Sequence, residues 1–158
     1  MINRFEGQYA FLSNFAASRV TLDGYEYPTV EHAFQAAKTH DETLRAEIRG
    51  AYSPGKAKRL GRHVPLRPDW EAVKESVMWK LLAQKFTPET SFARELEATG
   101  GEPITEGTTW HDKYWGICTC ERCGGQGRNV LGRMLMEIRW RNRNKQPLAW
   151  SENWDTEK

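Results

Sequence analysis

The chain has 158 residues, of which 39% are hydrophobic and 28% charged, and a net charge of +2 at neutral pH. That length predicts one domain with a real core, the composition excludes a disordered chain, and no apolar run approaches the roughly 20 residues of a membrane-spanning helix. The near-neutral balance creates no field that would by itself select nucleic acid. The first residues lack the basic-then-apolar order of a signal peptide, so the expectation is a cytoplasmic protein with no membrane partner.

In chain order, Val20-Thr21-Leu22, Asp23-Gly24 and Tyr25-Glu26-Tyr27 predict a β-hairpin, because Asp-Gly between alternating apolar residues suits a tight two-residue turn. Pro28 ends it. Val30, Ala33, Phe34 and Ala37 then recur at helical spacing, with Thr29 placed to cap. Asp41 is the expected cap of a second helix carrying Leu44 and Ile48, and Ser53-Pro54 starts a third. The longest helix should run from about Asp69 to Phe86, its stripe formed by Trp70, Val73, Val77 and Leu81 and widened by Met78 and Leu82. Thr87-Pro88-Glu89 should open another, closed by Gly100-Gly101. Residues 101–128 show no sustained period, and long loops in compact domains often carry function. A last helix is expected from about Asn129 to Trp140, followed by a polar tail over 141–158 with Trp150 and Trp154. The reading is a mainly α protein with a small β-hairpin element, one compact domain over 1–140 and a tail.

Several groups could carry chemistry. Glu31, Gln35 and Lys38 form a polar stripe on the first helix. An acid in a first turn suits the helix macrodipole, so spacing alone reads Glu31 as solvated. The irregular stretch places Glu106, Trp110, His111, Asp112, Tyr114 and Trp115 close together; a carboxylate beside indoles can be desolvated for catalysis, or Asp112 can simply cap a turn. Gly124-Gly125-Gln126-Gly127-Arg128-Asn129 feeds the last helix and could receive an anion or be a glycine-rich turn; it fits neither the Walker nor the Rossmann spacing. Cys118, Cys120 and Cys123 with His111 could form a Cys₃His zinc site. The spacing lacks the paired knuckles of ordinary zinc ribbons, however, and a reduced, metal-free loop is the preferred reading, with no cofactor. The basic run Lys56 to His63 is either a solvated helix face or a phosphate-contacting patch.

The motifs Phe11-Leu12-Ser13-Asn14-Phe15, Tyr27-Pro28-Thr29-Val30-Glu31-His32-Ala33-Phe34-Gln35, Trp70 with Val77-Met78, Asp112-x-x-Trp115-Gly116 and Gly127-x-Asn129-x-Leu131-Gly132 occur in this order. Together they resemble the NADAR (YbiA-like) family over about Phe11 to Arg139. The resemblance implies a mainly helical fold and hydrolysis of N-ribosides. The substrates it implies are 5′-phosphorylated pyrimidine intermediates of early riboflavin biosynthesis, or ADP-ribosylated guanine in nucleotides or nucleic acid. It carries functional roles onto Glu31, Trp70, Asp112 and Trp115. The three-cysteine loop resembles a variant found in part of the family, so zinc is not carried over by the resemblance.

Cleaving a ribose C1′–N bond passes through an oxocarbenium-like centre, which needs a carboxylate and a positioned water. Glu31 and Asp112 are therefore the expected catalytic pair, in either order. Trp70 or Trp115 should stack on the leaving heterocycle, while Lys38, Gln35, Arg128 and Asn129 complete the expected substrate contacts. The alternative is a non-catalytic module that binds ADP-ribose or a related nucleotide.

Overall fold

A computed structural model describes residues 1–155. Among these the chain is mainly helical: six α-helices, one 3₁₀ helix and two sheets of two strands each. Contacts divide it into two units, Asn14–Lys85 and the combination of Met1–Ser13 with the residues from Phe86 onward.

The Asn14–Lys85 unit begins with the expected hairpin. Strands β1 (Val20–Leu22) and β2 (Tyr25–Tyr27) pair antiparallel in the register Val20↔Tyr27 and Leu22↔Tyr25. Asp23 at φ 48° and Gly24 at φ 85° supply the two left-handed residues that such a turn requires. Helices α1 (Val30–Ala37), α2 (Glu42–Arg49) and α3 (Pro54–Gly61) start where their caps predict. The side chains of Thr29, Asp41 and Ser53 accept hydrogen bonds from the backbone N–H of His32, Leu44 and Lys56. Helix α4 spans Trp70–Lys85. Its buried face differs from the expected stripe. Met78, Trp79, Leu81, Leu82 and Lys85 are buried with Trp70, whereas Val73 and Val77 are only half-buried. Helix α1 departs further. All eight of its residues are buried, because α2, α3, α4 and β1 pack around it. The polar stripe read as solvated is therefore enclosed, with Glu31 at 7% exposure and Gln35 at 4%.

In the other unit a 3₁₀ turn (Gly7–Leu12) packs near helix α5. Helix α5 runs over Ser91–Ala98, later than expected, because Thr90 rather than Thr87 caps it by accepting from the Ala93 N–H. Thr87 instead closes a turn, its carbonyl accepting from both the backbone N–H and the hydroxyl of Thr90. Residues 101–128 contain two short strands without sequence periodicity, β3 (Gly107–Thr108) and β4 (Ile117–Cys118), paired in parallel. Ile2 and Ile104, both buried, bridge the chain start to the segment before β3.

Helix α6 (Val130–Arg143) is longer than expected and carries buried Leu131, Leu135 and Ile138. Residues 141–155 are partly docked. Arg141, in the helix, pairs with buried Glu137 at 3.0 Å and donates to the carbonyls of Pro147 and Ala149. Trp154 is buried, with the Arg133 guanidinium over its ring and an Arg133–Asp155 ion pair beside it.

At the head of α6, Asn129 sits in the left-handed region at φ 50°. Its Oδ1 accepts from the Glu106 N–H at 2.9 Å and its Nδ2 donates to the Ile104 carbonyl at 2.9 Å. Gly132 makes room for this clamp, since a Cβ there would lie 2.4 Å from both Asn129 Oδ1 and the Ile104 oxygen. Gly132→Ala is therefore expected to destabilise the protein by about 1–3 kcal/mol through overpacking, measured by urea unfolding. Wild-type stability in that variant would show that the Asn129 clamp yields freely.

Candidate active site

The Asn14–Lys85 unit gathers the charged groups around α1. Glu31 lies in its first turn with the backbone N–H donating to the Asn14 carbonyl at 3.1 Å. Its Oε1 accepts from Gln35 Nε2 at 2.7 Å, one turn further along the same face. Burial raises the Glu31 pKa from its ordinary value near 4.5, against the opposing pull of the Gln35 hydrogen bond and of Lys58, Lys38 and His32. A carboxyl whose proton affinity is raised by burial and opposed by nearby cations is of the kind that proton-transfer sites use.

Lys38, half-buried at the end of α1, has the matching perturbation. Desolvation lowers its pKa, Glu31 opposes that shift, and Lys58 and Arg62 reinforce it. Two of these cations come from the basic run on α3 and its C-cap, which sequence spacing left between a solvated face and a phosphate patch. The aromatic side of the site is Phe34 and Trp70, with ring centroids 5.1 Å apart and planes tilted by 55°, and Lys38 Nζ lies 5.9 Å from the Phe34 ring. Phe34 was legible only as a core residue.

Two buried amide oxygens, Gln35 Oε1 and Asn14 Oδ1, find no hydrogen-bond partner among the described residues. Buried acceptors without donors are uncommon and favour a water or ligand donor. His32, by contrast, is fully used within the fold. Its Nδ1 is 2.8 Å from the Thr29 hydroxyl and its Nε2 is 3.1 Å from the Ala51 carbonyl, an acceptor only, so Nε2 carries the proton.

The remaining expected residues belong to the other unit. Asp112 Oδ1 accepts from the backbone N–H groups of Tyr114 (3.0 Å) and Trp115 (2.9 Å), and the Asp112 carbonyl accepts from the Thr108 hydroxyl. That is the turn-capping use weighed from the sequence. Trp115 is half-buried edge-on to Tyr114, with centroids 4.9 Å apart, and the Arg128 guanidinium lies 4.8 Å from the Tyr114 ring centroid. Asn129 is committed at both ends to backbone, as described above. His111, Cys118, Cys120 and Cys123 bring their ligand atoms within 4.8 Å of one another and could together hold a metal.

The NADAR domain family model matches residues 2–143, which include residues of both units. N-glycosidase YbiA of Escherichia coli (strain K12) is 45% identical over 133 residues, covering 83% of this chain and 80% of that protein. An NMR structure of E. coli YbiA superposes with a TM-score of 0.74 at 42% identity, covering 91% of this chain and 86% of that one. A riboflavin biosynthesis protein of Vibrio vulnificus is 35% identical over 133 residues, which is 83% of this chain and 35% of that longer protein.

The Glu31–Gln35 pair depends on α3 approaching closely at Gly61, where a Cβ would fall 2.0 Å from Gln35 Oε1. Gly61→Ala should displace the Gln35 amide from Glu31, with a loss of about 1–3 kcal/mol in stability and a fall in kcat. Denaturant melts together with turnover on the same preparations check this; full activity would mean that Gln35 does not hold the acid in place.

Proposed function

The chain belongs to the NADAR domain family, and from that membership and the buried acid of α1 we propose that it is an N-glycosidase in which Glu31 activates the attacking water. The observation that carries this reading is Glu31 itself: a carboxyl taken out of solvent, oriented by Gln35 and surrounded by Lys38 and Lys58. Hydrolysis of this bond calls for a carboxyl beside the reacting centre, a role that a buried, oriented Glu31 suits. Similarity to a protein named as an N-glycosidase supports the reaction class.

In the proposed reaction, ionised Glu31 takes a proton from water as the water oxygen bonds to C1′. The C1′–N bond breaks, its electron pair leaves with the heterocycle, and a proton returns to that nitrogen. The positive charge that develops on the ribose is stabilised by the carboxylate. Trp70, backed by Phe34, offers an indole face to the heterocycle. Lys38, Lys58 and Arg62 match an anionic phosphate, whose charge would oppose the lowering of the Lys38 pKa by desolvation. Asp112 positions Trp115 by holding its N–H, and Trp115 is a second stacking residue assigned on the family motif. Asn129 holds the loop rather than the substrate.

The preferred substrate is a 5′-phosphorylated ribosylamino-heterocycle of early riboflavin biosynthesis, supported by the cationic trio and by the name of the Vibrio relative. ADP-ribosylated guanine has the same bond type and is the second arm of the experiment. Mass spectrometry of base release from both substrates, by wild-type protein and Glu31→Gln, tests the reading. Release by the wild type should fall on the order of 10²-fold in the variant. No release from either, with equal ADP-ribose binding by both proteins, would replace the enzyme with a binding module.

The raised pKa adds a stability signature. A folded acid that holds its proton more tightly than the unfolded chain contributes stability fully below pH 4.5, and that contribution is lost as pH rises through the folded value. Glu31→Gln removes this penalty, so its Tm relative to wild type should rise between pH 4.5 and neutrality while turnover falls. The acidic limb of wild-type kcat/KM should lie above the usual carboxylate range. Trp115→Ala should raise KM and slow release, and unchanged kinetics would make the ring a packing group only.

A further inference from the structure

The sequence favours a metal-free cysteine loop, but the geometry points to a different state: we propose that His111, Cys118, Cys120 and Cys123 form a structural zinc site that closes the segment carrying Asp112 and Trp115. The four ligand atoms lie within 4.8 Å of one another, with Cys118 and Cys123 buried. His111 Nδ1 is 3.3 Å from Cys123 Sγ and 3.5 Å from Cys120 Sγ. Tetrahedral zinc with Zn–S bonds of about 2.3 Å holds its sulfurs about 3.8 Å apart, so the set needs to contract by about 1 Å, within reach of side-chain rotation.

Each ligand has its own structural reason for being there. Cys118 ends β4 and is held on both edges, by the parallel pairing with Thr108 of β3 and by the antiparallel bridge to Gln126. Cys120 and Cys123 share a tight turn in which the Cys120 carbonyl accepts from the N–H groups of Cys123 and Gly124. That turn is one knuckle. The missing second knuckle, which argued against zinc from spacing, is replaced by β3–β4 pairing: it brings the loop after Thr108, and with it His111, alongside Cys118. His111 adopts φ 70°, a conformation non-glycine residues enter seldom, and its ring faces two sulfurs.

Three thiolates and one neutral imidazole make a closed, four-coordinate donor set with no open position for water, which fits a structural rather than a catalytic ion. Sulfur-rich tetrahedral sites select zinc among divalent ions of ordinary availability. Binding releases the three thiol protons to solvent, while His111 coordinates through Nδ1 and keeps its proton on Nε2. Because Asp112 follows His111 directly and caps Trp115, the ion would fasten the segment that positions this tryptophan.

The test uses the full-length, reduced chain, supplied with Zn²⁺, desalted and analysed for metal. About one zinc per chain is expected, falling to less than about 0.1 in Cys120→Ser/Cys123→Ser. Co²⁺ added to metal-free wild type should give the visible bands of a tetrahedral thiolate complex. As a readout independent of the variant's folding, the three thiols of zinc-loaded wild type should react slowly with a disulfide reagent and rapidly after EDTA. Substoichiometric zinc in wild type overturns the proposal. So do zinc retained by a folded double variant, and thiol reactivity that EDTA leaves unchanged.

Discussion

Glu31 can be buried only because Gln35, one helical turn away, donates to it, and Gln35 can face it only because Gly61 lets α3 come close. An acid at 7% exposure would otherwise carry the full desolvation penalty of its charged form. The hydrogen bond and the cations of Lys38 and Lys58 offset part of that penalty, and burial still prevails, leaving the carboxyl with a raised pKa. Helix α1 is thus a core element that carries the proposed catalytic acid, and the packing of α2, α3 and α4 on it encloses that acid.

The other unit solves a different problem, holding an aperiodic segment still without long strands. Its devices are polar and local. Asn129 ties the start of α6 to Ile104 and Glu106, Asp112 caps Tyr114 and Trp115, and two-residue strands pair in parallel beside the cysteines. Such strands contribute little apolar burial, so side-chain to backbone hydrogen bonds must supply the order. A zinc ion at His111 and the cysteines would add to this framework by constraining the loop in the same way a cross-link does.

Family membership and site geometry answer separate questions. The match over residues 2–143 says which fold and reaction class to expect, and a shared fold by itself does not choose a substrate. Under the proposed function, Trp70, Phe34, Lys38, Lys58 and Arg62 would suit a flat heterocycle bearing an anionic group. Lys58 and Arg62 are distinguished by their position in the fold: in the sequence they are two cations in a basic run, with nothing to separate them from their neighbours.

Local rules determined much of this protein from sequence alone. The Asp23-Gly24 hairpin and the caps at Thr29, Asp41 and Ser53 form through bonds between residues at most a few positions apart, so their signals are written where they act. The helical family motif carrying Glu31 was legible for the same reason. The start of α5 was misplaced because Thr87 and Thr90 offer the same capping chemistry, and only the packing of Ala93 and Leu96 selects the later one. Tertiary structure decided the rest. Helical spacing tells which residues share a face but not what will cover it, so the enclosure of Glu31 and Gln35 awaited α2 and α3, elements formed by later residues. The convergence of His111 with Cys118 likewise rests on pairing two strands too short to have a period. Burial and convergence depend on contacts distant in the chain, which a local pattern does not encode.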